Sequence, residues 1–196
     1  MEGAGPRLAA GGPLSPRLAL TAGLVVALAA VAGQASALVQ AGTLRPAAQV
    51  VDADDRSLDL RSINGKPVLV LYEDQSSSKL NEDFKADLSR LAKGDRYRTA
   101  VALVPVADVQ AYDFWPARGF VKDAIRGESK KVGTTIYCDW DGAFQRAAGF
   151  RRGTSSVMLI GRDARVRFAS EGALDKTQRA LLISLLKSEV EAAGGS

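Results

Sequence analysis

The sequence contains no histidine and only one cysteine, Cys138. The lack of histidine excludes Ser-His-Asp and Cys-His catalysis and most zinc sites. One cysteine cannot form a disulfide within the chain, so stability must come from the apolar core. Long runs of like charge are also missing: the net charge is +4 and the basic residues are scattered. We therefore predict no nucleic-acid partner, no metal and no cofactor.

Residues 1–37 have the pattern of an export signal. Arginines precede an uncharged apolar stretch, and Ala35 and Ala37 are the small residues that a signal peptidase reads. Cleavage after Ala37 would leave a domain outside the cytoplasm. The alternative is an uncleaved membrane anchor, because residues 18–44 carry no charge. Membrane contact is expected only in that second case.

Three segments follow the signal. Residues 38–48 contain small residues, a proline and no clear period, which indicates a linker. Residues 49–192 alternate between strand-like and helix-like patterns and have a typical single-domain size. Residues 193–196 are expected to be a disordered tail.

The predicted domain alternates strands and helices and ends in a hairpin and a helix. Val68–Tyr72 is a continuous apolar run, which indicates a strand covered on both faces, and Tyr97–Val106 reads as a second such strand. Asp175 and Gln178 form a capping box for the last helix, which is expected to stop at Gly194-Gly195. This order predicts an α/β fold with a mixed, mostly parallel central sheet, a late antiparallel hairpin and helices on both faces.

Serines follow the first buried strand. We predict that they are the N-caps of a helix whose buried face is Leu80, Phe84, Leu88 and Leu91. Exposed N–H groups at such a helix start favour an anion or a polar peptide. The alternative is that the serines are structural caps and bind nothing.

Aromatic residues are concentrated in the loop after the second strand. Tyr112, Phe114 and Trp115 lie there within four positions. Trp115 is a candidate for binding a protein partner, since such residues dominate interfaces. Equally, these side chains could pin a long loop onto the core.

The order of elements resembles the thioredoxin fold, and the chain resembles the YtfJ-like family of exported bacterial proteins, related to TlpA-like and peroxiredoxin-like domains. The segments that carry this resemblance are Leu58–Pro67, Tyr97–Thr99, Thr154–Val157, Arg165–Phe168 and Glu171–Leu174. The resemblance implies a periplasmic location, or anchoring to the inner membrane facing the periplasm. It implies no defined reaction.

The chain departs from redox-active thioredoxins at three positions. Alignment with a TlpA-like strand, turn and helix places Ser77 at the nucleophilic cysteine, Leu80 at the resolving cysteine and Ser155 at the cis-proline. A serine hydroxyl is too weak an acid to replace the thiolate, and no histidine is present to take its proton. A non-proline cis bond costs about 3 kcal/mol, so the bond before Ser155 should be trans. No catalytic residue is predicted.

The candidate binding residues share one predicted site, apart from Trp115 in the loop. They are Glu73, Asp74, Ser76, Ser77, Ser78, Ser155 and Trp115. Cys138 ends the third predicted strand and is interpreted as a small buried residue or, alternatively, as a lone reactive thiol.

Two functions remain. The first is a non-catalytic binding or adaptor protein whose partner is an unknown periplasmic protein or peptide. The alternative is a thiol-dependent oxidoreductase or peroxidase acting through Cys138. The missing cysteine pair and histidine argue against an enzyme without deciding the question.

Overall fold

The computed structural model describes residues 37–192. The predicted signal before Ala37 and the predicted tail lie outside the described residues. The strands are β1 (Gln49–Asp52), β2 (Ser57–Asp59), β3 (Val68–Glu73), β4 (Ala102–Asp108), β5 (Tyr137–Asp139), β6 (Ser156–Ile160) and β7 (Val166–Glu171). The helices are α1 (Glu82–Leu91), α2 (Asp95–Ala100), α3 (Ala117–Val132), α4 (Ala143–Ala148) and α5 (Lys176–Glu191), with short 3₁₀ turns at Leu60–Ser62 and Gln110–Tyr112. None of these described helices is long and apolar enough to cross a bilayer.

The strands form one mixed sheet in the order β2-β1-β5-β4-β3-β6-β7. The central strands β5, β4 and β3 are parallel to one another, because helices connect them in sequence. The outer pairings are antiparallel, including the predicted late hairpin of β6 and β7. The sheet is therefore mixed, as predicted, but it is not mostly parallel: two of the six pairings among the described strands are parallel, and both lie at the centre.

Helices cover both faces of the sheet. Successive residues of β3 point to opposite sides, as the strand pleat requires. Leu69 and Leu71 pack in a cluster with Phe84 of α1 and with residues of α5. Val70 and Tyr72 pack in the opposite cluster with residues of α4. The continuous apolar run of β3 is thus buried on both sides, which confirms its assignment as a central strand.

The second central strand begins later than predicted. β4 starts at Ala102, whereas Asp95–Ala100 forms the short helix α2. This segment includes Arg96 and Arg98, and a strand covered on both faces has no room for such charged side chains. The prediction of a strand from Tyr97 is wrong for this reason.

Residues 38–48, predicted to be a linker, lie against the domain. Gly42 N–H donates to the Val166 carbonyl at 2.8 Å, and Val166 N–H donates to the Thr43 carbonyl at 2.8 Å. The side chains of Leu38 and Val39 pack against the apolar cluster that contains α4. This segment therefore covers part of the edge strand β7 and of one core face.

The last helix begins as predicted. The Asp175 carboxylate accepts the Gln178 N–H at 2.8 Å, and the Gln178 side chain accepts the Asp175 N–H at 3.0 Å. This reciprocal pair is a complete capping box. The predicted stop at Gly194-Gly195 lies outside the described residues.

Candidate functional site

Polar residues collect where the parallel strands end. Because β3, β4 and β5 run in the same direction, their carboxyl ends meet at one edge of the sheet, together with the start of the antiparallel strand β6. Open α/β sheets bind ligands at such an edge. We call this region the polar edge; its residues are Tyr72, Glu73, Asp74, Asp108, Asp139 and Ser155.

The serines after β3 form turns and do not cap a helix. Helix α1 begins only at Glu82, and the residues between Asp74 and Glu82 are non-helical. The Asp74 carboxylate accepts the Ser77 N–H at 2.7 Å and the Ser76 hydroxyl at 2.8 Å, while the Ser77 hydroxyl accepts the Asp74 N–H at 3.0 Å. Such local bonds compete with helix formation. The predicted helix start at the serines is therefore wrong.

Leu80 was predicted on the buried face of this helix, and that prediction is also wrong. It lies in the turn that precedes α1, and its side chain is nearly half exposed. Phe84 is fully buried, and Leu88 and Leu91 pack partly against it, so the predicted apolar face holds from Phe84 onward.

Asn81 connects the turn to two other loops. Its side-chain N–H₂ donates to the Ser155 hydroxyl at 2.8 Å and to the Gly172 carbonyl at 3.0 Å, and its side-chain oxygen accepts the Leu174 N–H at 2.8 Å. Asn81 and Ser155 are both buried. Both N–H groups of the buried amide therefore donate a hydrogen bond, and its oxygen accepts one.

Glu73 completes this network. One carboxylate oxygen accepts the Ser155 hydroxyl at 2.8 Å, and the other accepts the Lys85 ammonium at 2.5 Å. The Lys85 ammonium also donates to the Ser78 carbonyl at 2.6 Å. Glu73 and Ser155, predicted as binding residues, thus have partners inside the protein. The bond before Ser155 is trans, since within residues 37–192 the cis peptide bond is the one between Trp115 and Pro116.

A second buried network lies beside the first. The Tyr72 hydroxyl donates to Asp139 at 3.1 Å, and the Gln110 side chain donates to Asp108 at 3.1 Å and to the Tyr72 hydroxyl at 3.5 Å. Burial raises the pKa of Asp139, and the N–H groups of Phe144 and Gln145 only partly oppose this effect. Burial and the nearby charge of Asp139 also raise the pKa of Tyr72.

Asp108, Gln110 and Asp139 were not predicted as site residues from the sequence. A signal was present, because Asp108 and Asp139 are the last residues of β4 and β5 and lie at the end that parallel strands share.

A cleft of about 590 Å³ opens next to the polar edge. Asp74 and Ser76 line it, together with Gln75, Asp108, Tyr112 and Arg152. The Asp108 side chain is only 5% exposed, and its outer oxygen lies 3.6 Å from the Arg152 guanidinium. Of the predicted binding residues, Asp74 and Ser76 therefore lie at the cleft, whereas Ser77 is buried below them.

The aromatic loop is exposed. Trp115 is 91% exposed, and Phe114 and Phe120 are also largely exposed. Arg118 holds the loop instead, with its guanidinium 4.5 Å from the centre of the Trp140 ring. Trp115 thus does not pin the loop onto the core. We call residues 112–120 the aromatic segment.

Cys138 is buried under α3. It is 1% exposed and packs with Val109 and Trp140. Burial raises its pKa to about 11. At neutral pH the thiol is therefore protonated, and the thiolate is the form that reacts. Among the described residues, no group of three or more cysteines and carboxylates could hold a metal ion.

Solved structures match this architecture. The similar structures include a candidate thioredoxin from Neisseria meningitidis (19% identity, 76% of this chain, 92% of that chain, TM-score 0.54) and a candidate thiol:disulfide interchange protein DsbE from Chlorobium tepidum (16%, 77%, 99%, TM-score 0.56). A thiol peroxidase from Chromobacterium violaceum is 12% identical over 77% of this chain and 88% of that chain, with a TM-score of 0.54. No protein-family model and no curated protein matches the chain.

The fold is therefore thioredoxin-like, as the order of elements predicted. At these identities the likeness shows the fold and does not extend to the activity.

The Asn81 network generates a stability prediction. Replacing Asn81→Ala leaves the buried Leu174 N–H and Gly172 carbonyl without partners, so we expect a loss of about 1–3 kcal/mol in the free energy of unfolding. The control Ser78→Ala removes an exposed hydroxyl and should change it by less than about 0.5 kcal/mol. Urea unfolding measures both. Equal stability of Asn81→Ala and the wild type would contradict the network.

Asp139 generates a pH prediction. Its pKa is raised above 3.8 by folding, so the folded state binds the proton more tightly and loses this stabilisation as pH rises through the folded-state pKa. Asp139→Asn cannot ionise and keeps one acceptor oxygen, which can accept the Gln145 N–H as the Asp139 carboxylate does. Its unfolding free energy minus that of the wild type should therefore increase as the pH rises from about 4 through the folded-state pKa of Asp139. A constant difference would show that folding leaves the pKa of Asp139 unchanged, and a falling one that folding lowers it; either would contradict the prediction.

Proposed function

We propose that this chain is an exported, YtfJ-like protein that binds a polypeptide partner in the periplasm and carries out no thiol–disulfide chemistry. The export signal pattern over residues 1–37 and the resemblance stated above support the location. Anchoring to the inner membrane remains the alternative to cleavage after Ala37 in this proposal.

The residues aligned with the two redox cysteines support the proposal that the chain carries out no thiol chemistry. Ser77 occupies the place expected for the nucleophile, and it is buried and hydrogen-bonded to Asp74. Leu80 occupies the place of the resolving cysteine. No second sulfur that could form a disulfide with Cys138 exists, because the chain has one cysteine. A disulfide exchange cycle within the chain therefore lacks its second thiol.

The exposed aromatic segment is the observation that carries the binding role. Large aromatic side chains on a loop cost free energy in water unless they meet a partner, and they are enriched in interfaces. Here Trp115 and Phe114 in the loop, and Phe120 in the first turns of α3, are solvent-exposed. Arg118 and Tyr112 hold the same segment in place through contacts with Trp140 and Gln75. A fixed loop presents aromatic side chains at a small entropic cost on binding.

Asp74 and Ser76 supply polar contacts next to this segment, whereas Ser78 does not line the cleft. Tyr112 links the two regions, because its hydroxyl donates to the Gln75 side chain at 3.3 Å in the serine turn. We include Asp74, Ser76 and Trp115 in the proposed binding surface. The hydrogen bonds of Ser77, Ser155 and Glu73 within the protein hold this surface in position.

The peroxidase alternative predicts a reactive Cys138. We expect no peroxide consumption by the purified protein, and no reaction of Cys138 with a thiol-specific reagent until the protein is unfolded, because the thiol is buried and protonated. The Cys138→Ser variant provides the background rate for both assays. Peroxide turnover that disappears in Cys138→Ser would establish the alternative function.

Binding through the aromatic segment predicts a selective loss of partners. In affinity capture from envelope extracts, we expect Trp115→Ser to lose the proteins that the wild type retains, because a central tryptophan commonly supplies more than about 2 kcal/mol of binding. Leu181→Ser is the matched control, since Leu181 is an exposed apolar residue on α5 outside the segment. If Trp115→Ser captures the same proteins as the wild type, the aromatic segment is not the binding surface.

A further inference from the structure

The Asp108 carboxylate faces the cleft with half of its hydrogen-bonding capacity in use. One oxygen accepts the backbone and side-chain N–H groups of Gln110, at 3.2 Å and 3.1 Å. The other oxygen has only the Arg152 guanidinium at 3.6 Å, which is beyond hydrogen-bond distance. A carboxylate this deeply buried is strongly stabilised by a short, charge-assisted hydrogen bond.

Arg152 is a weak partner for Asp108. Its side chain is 56% exposed, and the described contacts give it no hydrogen bond to Asp108. An exposed guanidinium can move into water with little loss when another cation takes its place. The cleft therefore contains a buried carboxylate, Asp108, whose neighbouring cation, Arg152, can be displaced.

A second anion lies on the wall of the cleft. Burial tends to raise the pKa of Asp74, but the hydrogen bonds from Ser76 and Ser77 outweigh burial and hold it below the usual value. The ring of Tyr112 forms another part of the wall. Two carboxylates and an aromatic ring are a favourable environment for an ammonium or guanidinium group.

The aromatic segment adds no free cation to this region. Arg118 is paired with Asp113 at 2.5 Å and stacks on Trp140, and Lys122 is paired with Asp55. The exposed surface of the aromatic segment is thus apolar and close to neutral. Charge complementarity favours a partner segment that is apolar and positively charged.

We propose that the cleft receives a lysine or arginine side chain of the partner, which displaces Arg152 from Asp108, while neighbouring apolar side chains of the same segment pack on Phe114, Trp115 and Phe120. This inference rests on the proposed function and specifies the chemistry of the bound polypeptide.

A displayed library of random dodecapeptides tests this inference. We expect peptides selected on the purified wild type to be enriched in lysine or arginine near aromatic or leucine residues. Replacing that cation with a neutral isostere, citrulline or norleucine, should weaken binding about tenfold in the wild type and much less in Asp108→Asn. Arg152→Gln should bind the cationic peptides more tightly, because it removes the competing cation. This surface variant keeps the test valid should Asp108→Asn fold poorly.

The outcomes separate the inference from the function on which it rests. Selected peptides that lack cations, bind equally to Asp108→Asn and lose binding in Trp115→Ser would overturn the cation site and leave polypeptide binding intact. Acidic peptides whose binding depends on Arg152 would also overturn the cation site. If no peptide binds the wild type better than it binds Trp115→Ser, both proposals fail. Binding to phosphatidylcholine vesicles that depends on Trp115 would then identify the segment as a lipid-binding surface.

Discussion

The buried side chain of Asn81 is the contact on which the positions of three segments around the polar edge depend. Strand ends bring backbone and side-chain polar groups out of water, and each needs a partner inside the protein. Asn81 supplies partners to Ser155, Gly172 and Leu174 at once. Because Ser155 in turn holds Glu73, one amide fixes the relative positions of the turn after β3, the start of β6 and the loop before α5.

This arrangement is the basis for our proposal that the chain carries out no thiol–disulfide chemistry. A redox site needs an accessible thiolate at the end of the first central strand. Here the same place is filled by Ser77 and Asp74, which bond to each other, and the one sulfur lies under α3. The side chains that face solvent are on the aromatic segment and along the cleft beside it. In the function we propose, recognition uses this loop together with the cleft at the strand ends.

The fold was largely predictable because its signals are local. The apolar run of β3 and the Asp175–Gln178 capping box are patterns within a few residues, and both are confirmed. The failures are also local in origin. Serines that precede a helical pattern are read as caps, but in this chain their side chains bond to Asp74 and delay the helix to Glu82. The prediction of a strand from Tyr97 is wrong because the charged residues around it exclude a strand buried on both faces, although the residues that follow are apolar.

Composition alone excludes disulfide exchange within the chain, because one cysteine has no partner in any conformation. Most of the order of strands and helices also follows from local patterns, because hydrophobic periodicity depends on neighbouring residues; helix α2 is the exception. Which polar side chains are buried and paired, and which face the cleft, depends on the tertiary fold. Ser155 and Asn81 are 74 positions apart, and Asp108 at the end of β4 lies 3.6 Å from Arg152 in the loop before β6. Such contacts depend on how the sheet brings distant segments together, and no local pattern of residues encodes that distance.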